Sequence, residues 1–393
     1  MEIVHFSIFK PHRFRGAGIS KFLYGVSSAQ AALGHSVTIV YLSNKDDFEV
    51  PPGVQVIRYK PHPLKFFLPR QFYKDISSGL LKIDFGHLHC GYIPENWVVT
   101  KFMKKKAIPY SITPHAVLSP MVIKKNHRLR KEVFRYLFQL PLLNNSVFIH
   151  ALSQGEMNDI IKYGTTAHIE IIPQGFDISE VPKSLNTSWL LTHYPQSRNS
   201  FKIVFMGRID PVHKGLDLLV DALIKIKIRF PDITFFLFLI GSNYTGGKQK
   251  IKKQINSYGS YGIFENILFT GSIHGIEKYH ALSSADLFVH PSRWEGMPFS
   301  LIESLACGVP CLVTPGSNAA DLVVKYDAGF VAEPTIGSIK DRLIQAIRTD
   351  PNALRRKGEN ARRLVLTEFS WEKTARLLCE RYEKVLKKGY DTV

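Results

Sequence analysis

Two glutamates, Glu295 and Glu303, are the first candidates for chemistry in this sequence, and they lie eight residues apart. An apolar run at 285–290 predicts a buried strand, which Pro291 ends. A helix is predicted from Pro298, because proline suits a first helical turn whose N–H groups have no partner. A loop followed by about five helical residues separates the two carboxylates by on the order of 10 Å.

This spacing of carboxylates suits the two polar parts of one elongated ligand. The helix N-terminus between them offers unpaired N–H groups and the positive end of a dipole, where a phosphate is stabilised. Two acceptors for hydroxyls that flank an anion site indicate a nucleotide-sugar. The structural alternative is that Ser300 and Glu303 form only a capping box, with Glu295 a solvated loop residue.

The surrounding stretch, EGMPFSLIESLACGVPCLVT, closely resembles the signature of retaining GT-B glycosyltransferases of family 4, the glycosyl transferases group 1. The resemblance implies that Glu295 contacts the donor sugar as a catalytic residue and that Glu303 holds the ribose. It also implies a donor site that includes the residues between them, Met297, Pro298 and Phe299.

Size and composition indicate a two-domain protein with anionic partners. The chain has 393 residues, 45% of them hydrophobic, which exceeds one typical core. The net charge of +18 implies lipid surfaces, nucleic acid or phosphorylated substrates. Four cysteines show no metal-ligand spacing and are interpreted as reduced thiols. The N-terminus does not have the pattern of a signal peptide, and no apolar run approaches the ~20 residues of a membrane span, so we expect a cytoplasmic protein.

The first 42 residues predict the opening of a doubly wound α/β domain. A strand at 3–9 is followed by Gly16-Ala17-Gly18, a helix and a second strand. Small residues let backbone N–H groups approach a diphosphate, so Gly16 and Gly18 are candidate phosphate contacts, although a plain strand-to-helix turn has the same pattern. The family commonly has paired glycines here; Gly18 matches the second, and Ala17 departs from the first.

A histidine follows the strand predicted at 109–113. The sequence Thr113-Pro-His-Ala-Val resembles the histidine loop of the family, with Ala116 where glycine is usual. Ligands of α/β sheets lie at the carboxyl ends of strands, so His115 is favoured as the catalytic histidine among the fifteen in the chain. Three others, His5, His87 and His89, are predicted to be core or strand-end residues.

The second half opens with a strand at 201–206 and the sequence GRID…HKG. Arg208 and Lys214 follow the carboxyl end of this strand, where two cations neutralise a diphosphate as it leaves. The sequence resembles the donor-phosphate site of the family. The resemblance also implies that the turn at Ile273 meets the base of the nucleotide.

The predicted fold is therefore GT-B, an α/β architecture of two doubly wound parallel-sheet domains, similar to the Rossmann fold, that face a cleft. The N-terminal, acceptor-side domain is predicted at 1–185, a linker at 186–200 and the donor-binding domain at 201–370. In proteins of this fold the last helix, here within 371–393, crosses back onto the N-terminal domain.

Much of the positive charge is local. Fifteen Lys/Arg and four acidic residues lie between 60 and 140, a net charge of +11. At 101–135 the basic residues alternate with apolar ones, which is typical of a segment that lies on an anionic membrane. A solvated basic face is the alternative, and nucleic acid fits less well because no nucleic-acid motif accompanies the charge.

The family resemblance implies a retaining hexosyltransferase with a UDP-sugar as the expected donor, or GDP-mannose in second place. The resemblance and the basic segment together indicate a glycan or polyprenyl-linked glycan of the cell surface as the acceptor, and action at the inner face of the membrane. No Asp-x-Asp pair occurs in the sequence, so we expect no metal or other cofactor. The alternatives are a nucleotide-sugar epimerase or a glycan phosphorylase of the same fold, although the second is usually a much longer chain. A basic binding protein with a vestigial donor site is the non-enzyme alternative.

Overall fold

The computed structural model describes residues 1–11, 18–44, 48–124, 128–259 and 263–388. The chain forms two compact units. One consists of Met1–Asp177 together with Phe369–Val393, and the other is Ile178–Glu368. Each unit has its own parallel sheet with helices between most successive strands, which confirms the predicted pair of doubly wound α/β domains.

Seven strands of the first unit form one sheet. In chain order its elements are β1 (Glu2–Ser7), α1 (Gly18–Ala32), β2 (Ser36–Leu42), β3 (Val54–Tyr59), α2 (Arg70–Ser77), β4 (Phe85–His89), α3 (Pro94–Lys105), β5 (Tyr110–Thr113), α4 (Pro120–Lys124), α5 (Arg128–Phe134), a π-helical turn (Arg135–Gln139), α6 (Leu140–Asn144), β6 (Phe148–Ala151), α7 (Gln154–Tyr163) and β7 (Ile169–Ile171). The spatial order is β3-β2-β1-β4-β5-β6-β7, and all neighbours are parallel. The order reverses at β1, the point where doubly wound sheets place their ligands.

Six strands form the sheet of the second unit. Its elements are α8 (Trp189–His193), β8 (Phe201–Met206), α9 (Leu216–Arg229), β9 (Phe235–Ile240), α10 (Gly247–Asn256), β10 (Ile267–Gly271), α11 (Gly275–Ser283), β11 (Leu287–His290), α12 (Phe299–Ala306), β12 (Cys311–Val313), α13 (Ala320–Tyr326), β13 (Gly329–Val331), α14 (Ile336–Arg348) and α15 (Pro351–Glu368). The spatial order is β10-β9-β8-β11-β12-β13, all parallel. The strands β9 and β11 are buried along their whole length, as expected of strands covered on both faces.

The last helix, α16 (Trp371–Lys388), belongs to the first unit, as predicted. Trp371 packs where two glycines leave room for it. A Cβ at Gly25 would lie 2.1 Å from the indole ring, and one at Gly175 would lie 2.4 Å from the Trp371 Cα. Further along the helix, the Tyr382 hydroxyl lies 2.5 Å from His87 Nδ1. Within the described part of the chain, every helix is too short or too polar to cross a membrane.

The segment predicted as a linker, 186–200, folds as part of the second unit instead. Trp189 and Leu190 are buried, and the indole N–H of Trp189 donates to a carboxylate oxygen of Glu277. The observed boundary falls between Asp177 and Ile178. The mixed composition of this segment concealed two apolar side chains that are buried within the second unit.

Candidate active site

Most of the predicted donor residues lie in loops at one edge of the second sheet. Arg208 and Lys214 follow β8, Ile273 follows β10, and Glu295 follows β11. These strands are parallel neighbours or next neighbours, so their carboxyl ends lie at the same edge. The fold therefore gathers residues that are as much as 87 positions apart in the sequence.

The Glu295 carboxylate is the most heavily contacted acid of this edge. Its Oε1 forms an ion pair with Lys214 Nζ and accepts a hydrogen bond from Ser292 Oγ at 3.1 Å. His290 Nε2 lies 3.4 Å from the same oxygen and His213 Nε2 lies 3.6 Å from it. The side chains of Glu295 and Lys214 are 13% and 10% exposed, so the pair is largely withdrawn from water.

Charge at this site favours the ionised carboxylate. Burial alone raises the pKa of Glu295, but Lys214 and the two histidines hold the net pKa well below its usual range. Burial lowers the pKa of His213 to about 4 and also lowers that of His290, so both imidazoles are neutral near pH 7. Glu295 is therefore an anion that accepts hydrogen bonds, and Lys214 is its main counter-charge.

The loop after β8 and the loop after β11 are held together by a second set of contacts. The Arg293 guanidinium makes two hydrogen bonds of 2.8 Å to the Asp217 carboxylate, and the Arg293 N–H donates to the His213 carbonyl at 3.0 Å. His213 in turn donates from Nε2 to the Trp294 carbonyl at 2.9 Å, and its ring stacks on the indole at 4.5 Å. These contacts fix Lys214 opposite Glu295.

Gly215 allows the two loops to approach. It has φ +64°, and a Cβ there would lie 1.9 Å from the Pro291 carbonyl oxygen. The left-handed backbone disfavours a side chain, and the backbone contact excludes one. The glycine of HKG therefore has a structural role beside the lysine that precedes it.

Arg208 differs from Lys214 in its surroundings. Its side chain is exposed, and the guanidinium lies 4.6 Å from the centre of the Tyr244 ring. Among the described residues no acidic side chain forms an ion pair with it. A planar cation supported by an aromatic face is suited to a phosphate that arrives from solvent.

A third loop, after β12, completes the edge. Asn318, in the left-handed conformation with φ +60°, donates from Nδ2 to the Glu295 carbonyl at 2.5 Å and to the Gly296 carbonyl at 3.0 Å. Thr314 Oγ1 donates to the Ser292 carbonyl at 2.6 Å. The sequence analysis did not identify these residues. The available signal was an asparagine in a Gly-Ser-Asn turn that directly follows a strand.

Glu303 lies within α12 and is buried, with its Oε1 2.8 Å from Lys278 Nζ. The capping-box alternative is wrong, because the helix begins after Pro298 and no side chain caps it. Sequence reasoning also missed Lys278, a buried lysine on α11. The ribose contact of Glu303 stays a prediction; the observed partner of its carboxylate is a second buried cation.

The remaining donor candidates flank these acids. Met297 and Pro298 are buried and Phe299 is half-buried at the start of α12, while Ile273 is half-buried between β10 and α11. They follow β10 and β11 at the same edge of the sheet as Arg208 and Lys214. Their contacts with a base or sugar stay predictions.

His115 lies in the first unit, directly after β5. It has φ +55° and is followed by Ala116 at φ +62°, so two consecutive residues adopt the left-handed conformation. Buried Glu156 holds this turn, accepting from the Ala116 N–H at 2.6 Å and from the Leu152 N–H at 2.8 Å. Burial lowers the pKa of His115 to about 3 and raises that of Glu156 to about 7. His115 is therefore neutral near pH 7.

The glycine pair predicted to contact a diphosphate is only partly described. Gly18 is exposed and is the first residue of α1. Gly16 lies outside the described residues. The other histidines predicted to be structural, His5, His87 and His89, are buried.

The ion pair at the centre of this edge yields a stability prediction. Lys214→Met leaves Glu295 buried without its main counter-charge, which raises its pKa and lowers the free energy of unfolding by about 3–5 kcal/mol. Adding Glu295→Gln recovers part of the loss, with a coupling energy of about 1–3 kcal/mol in the double-mutant cycle. Urea unfolding of the four proteins measures both quantities.

The matched control is Arg355→Met. The Arg355 and Glu359 side chains are 78% and 65% exposed, so removing this pair is expected to leave the unfolding midpoint unchanged. A Lys214→Met protein as stable as the wild type would contradict the assignment of Lys214 as the counter-charge of Glu295.

Two family profiles match the chain. Glycosyltransferase Family 4 matches residues 16–180, and Glycosyl transferases group 1 matches residues 194–364. Among solved structures, sucrose-phosphate synthase from Thermosynechococcus elongatus superposes with a TM-score of 0.79 at 20% identity, covering 98% of this chain and 99% of that one. That likeness shows the fold.

Two curated relatives have lower coverage. A phosphatidyl-myo-inositol mannosyltransferase of Mycobacterium leprae is 26% identical over 55% of this chain and 56% of its own length. The UDP-Gal:alpha-D-GlcNAc-diphosphoundecaprenol alpha-1,3-galactosyltransferase of Escherichia coli is 27% identical over 51% of this chain and 50% of its own length. The match thus spans about half the length of these relatives. With both family profiles matched and a GT-B fold in place, the chain belongs to the group 1, family 4 glycosyltransferases.

Proposed function

We propose that this protein is a retaining glycosyltransferase that moves a hexose from a nucleotide diphosphate sugar to a glycan or polyprenyl-linked acceptor in cell-surface polysaccharide synthesis. The observation that carries the proposal is the edge of the second sheet, where Lys214 and Glu295 form a buried pair and the exposed Arg208 follows the same strand as Lys214. Cations and a fixed carboxylate at one sheet edge suit a sugar diphosphate, which has acidic phosphates and donor hydroxyls.

The candidate residues have different roles in the proposed transfer reaction. Charge accumulates on the diphosphate as the bond to the sugar breaks, and a positioned cation stabilises that charge more in the transition state than in the ground state. Arg208 and Lys214 have this role, together with the N–H groups at the start of α12. Glu295 accepts hydrogen bonds from sugar hydroxyls, which fixes the anomeric carbon relative to the acceptor. In the first unit, neutral His115 positions the reacting face of the sugar.

The donor is proposed to be a UDP-sugar, with GDP-mannose second. A UDP-sugar is the donor printed in the name of the Escherichia coli relative, whereas the Mycobacterium leprae relative is a mannosyltransferase. Retention is proposed from the family signature around Glu295 and Glu303. Metal-independent transfer is proposed because Arg208, Lys214 and the helix N-terminus supply positive charge at the diphosphate position.

One experiment tests the donor and the reaction together. UDP-glucose, UDP-galactose, UDP-N-acetylglucosamine and GDP-mannose are each added to the protein in EDTA, with and without a polyprenyl-diphosphate-linked sugar. We expect one donor to raise the melting temperature, because ligand at 100 times its Kd adds about 2.7 kcal/mol to the free energy of unfolding. We expect that donor to be consumed when acceptor is present, and NMR to show an α-linkage formed from the α-linked donor.

Each alternative gives a different result. A free, altered sugar-nucleotide formed without acceptor would identify an epimerase. No stabilisation by any donor would identify a vestigial site. Activity that EDTA abolishes and Mg²⁺ or Mn²⁺ restores would contradict the metal-independent route, and a β-linked product would contradict retention.

We also propose that the protein is cytoplasmic and binds peripherally to the inner face of the membrane. The α5 helix and the π-helical turn that follows it expose apolar side chains: Leu129 is 79%, Val133 50%, Tyr136 62% and Leu137 61% exposed. Exposed basic residues accompany them, including Lys104, Lys105, Lys106 and Arg130. Exposed apolar and basic side chains in the same part of the chain suit an anionic lipid bilayer. They overlap the region predicted at 101–135 and extend beyond it to Leu137, and residues 125–127 of that region lie outside the described part.

Sedimentation with liposomes tests this surface. The wild type is expected to pellet with anionic vesicles at low salt and less at high salt, because each Lys or Arg contributes about 1 kcal/mol that salt screens. Tyr136→Ser with Leu137→Ser is expected to reduce pelleting, while Val324→Ser, which changes a 69% exposed valine of the second unit, leaves it unchanged. Equal pelleting with neutral and anionic vesicles would contradict the electrostatic part.

A further inference from the structure

A chain of hydrogen bonds in the first unit leads from the buried amide of Gln30 to His115. Gln30 Oε1 lies 2.7 Å from His5 Nε2. His5 Nδ1 lies 2.9 Å from His89 Nε2, and His89 Nδ1 lies 3.2 Å from His115 Nε2. The three imidazoles come from β1, the end of β4 and the loop after β5, and their rings are stacked, with centroids 5.2 and 5.5 Å apart. With Gln30 on α1, four separate parts of the fold thus contribute to one linear network.

All four side chains of this hydrogen-bonded network are neutral near pH 7. Gln30, His5 and His89 have no exposed surface. Burial lowers the pKa of His5 to about 4 and that of His115 to about 3, and it lowers the pKa of His89 well below its usual range. A neutral imidazole has one N–H donor and one acceptor nitrogen. An imidazole that is bonded through both nitrogens must therefore donate on one side and accept on the other.

The first bond consequently sets the direction of the others. Because Gln30 Oε1 can only accept, His5 carries its proton on Nε2 and accepts at Nδ1. His89 then donates from Nε2 and accepts at Nδ1, and His115 donates from Nε2. This leaves His115 Nδ1 as an acceptor. No described residue donates to it.

The orientation of the Gln30 amide determines the direction of these hydrogen bonds and therefore the tautomer of His115. The Gln30 side chain also interacts with the Cys379 thiol and the Tyr382 hydroxyl on α16; burial raises the pKa of both groups, and Gln30 lowers it. The Nε2 of Gln30 forms no hydrogen bond of normal geometry to a described residue. Rotating the amide by 180° would present an N–H to His5, reverse every bond of the chain and place the proton of His115 on Nδ1.

We propose that Gln30 is a positioning residue that sets the tautomer of His115, so that Nδ1 of His115 is presented as an acceptor for a hydroxyl of the donor sugar. This use of His115 rests on the proposed function. The tautomer itself does not, because it is a property of the unliganded protein.

The test is NMR of the protein labelled with ¹⁵N at histidine. Two-bond ¹H–¹⁵N correlations distinguish a protonated from an unprotonated ring nitrogen, and the His115→Gln variant identifies the His115 signals. At pH 7 we expect the wild type to show His115 protonated at Nε2 and unprotonated at Nδ1. We expect Gln30→Met, which keeps the length of the side chain and removes the acceptor, to shift both His115 nitrogens towards a mixture of tautomers.

Ser27→Ala is the matched control. Ser27 is buried on the same helix, and its hydroxyl donates within that helix to the Leu23 carbonyl at 2.6 Å. The His115 signals are expected to be unchanged in this variant. A wild-type His115 protonated at Nδ1 overturns the proposal, and so does a tautomer that Gln30→Met leaves unchanged. The wild-type measurement decides the matter even where a variant does not fold.

Measurement of kcat/KM distinguishes the role of Gln30 in setting the tautomer from the proposed contact between His115 and the donor sugar. Once a donor is established, Gln30→Met is expected to lower kcat/KM about threefold to tenfold, the effect of one hydrogen bond. A changed tautomer with unchanged kcat/KM would support Gln30 as the residue that sets the tautomer and refute the contact between His115 and the sugar.

Discussion

The second unit depends on a buried ion pair between Lys214 and Glu295. A carboxylate withdrawn from water is stable only with a close counter-charge and with its oxygens hydrogen-bonded. Lys214 supplies the charge, and Ser292 and His290 surround the same oxygen. The pair forms because the loop after β8 and the loop after β11 come close together. Gly215 permits this approach, and the salt bridge from Arg293 to Asp217 holds it.

This pair also decides how charge is distributed over the edge. Lys214 faces the Glu295 carboxylate, whereas Arg208 is exposed over Tyr244 and has no acidic partner among the described residues. Arg208 is thus more exposed to solvent than Lys214, which suits the proposed contact with a phosphate. The first unit follows a similar principle at β5, where buried Glu156 holds the left-handed turn that carries His115.

The doubly wound sheets and the sheet edge that carries Arg208, Lys214 and Glu295 were predictable from local patterns and from the order of strands. The return of the last helix was implied by the family resemblance. The sequence was not sufficient to predict which side chains pair. The bond from Lys214 to Glu295 joins residues 81 positions apart, and the partner of Glu303 is a lysine that no motif marks. The linker at 186–200 was mispredicted because its few apolar residues show no periodic pattern in the sequence. Their role is visible only in the fold, where Trp189 contacts Glu277 of α11.

The central claim is that this edge of the second unit binds a nucleotide diphosphate through its exposed arginine. Calorimetric titration of UDP and GDP into the wild type, Arg208→Ala and Arg355→Ala tests it most directly. The account predicts that the wild type binds one of the two nucleotides and that Arg208→Ala weakens this binding about tenfold to a hundredfold, the effect of a charged hydrogen bond. Arg355→Ala, which changes a largely exposed arginine of the same unit, is predicted to bind like the wild type. Equal affinity in all three proteins, or no binding of either nucleotide to the wild type, would contradict the account.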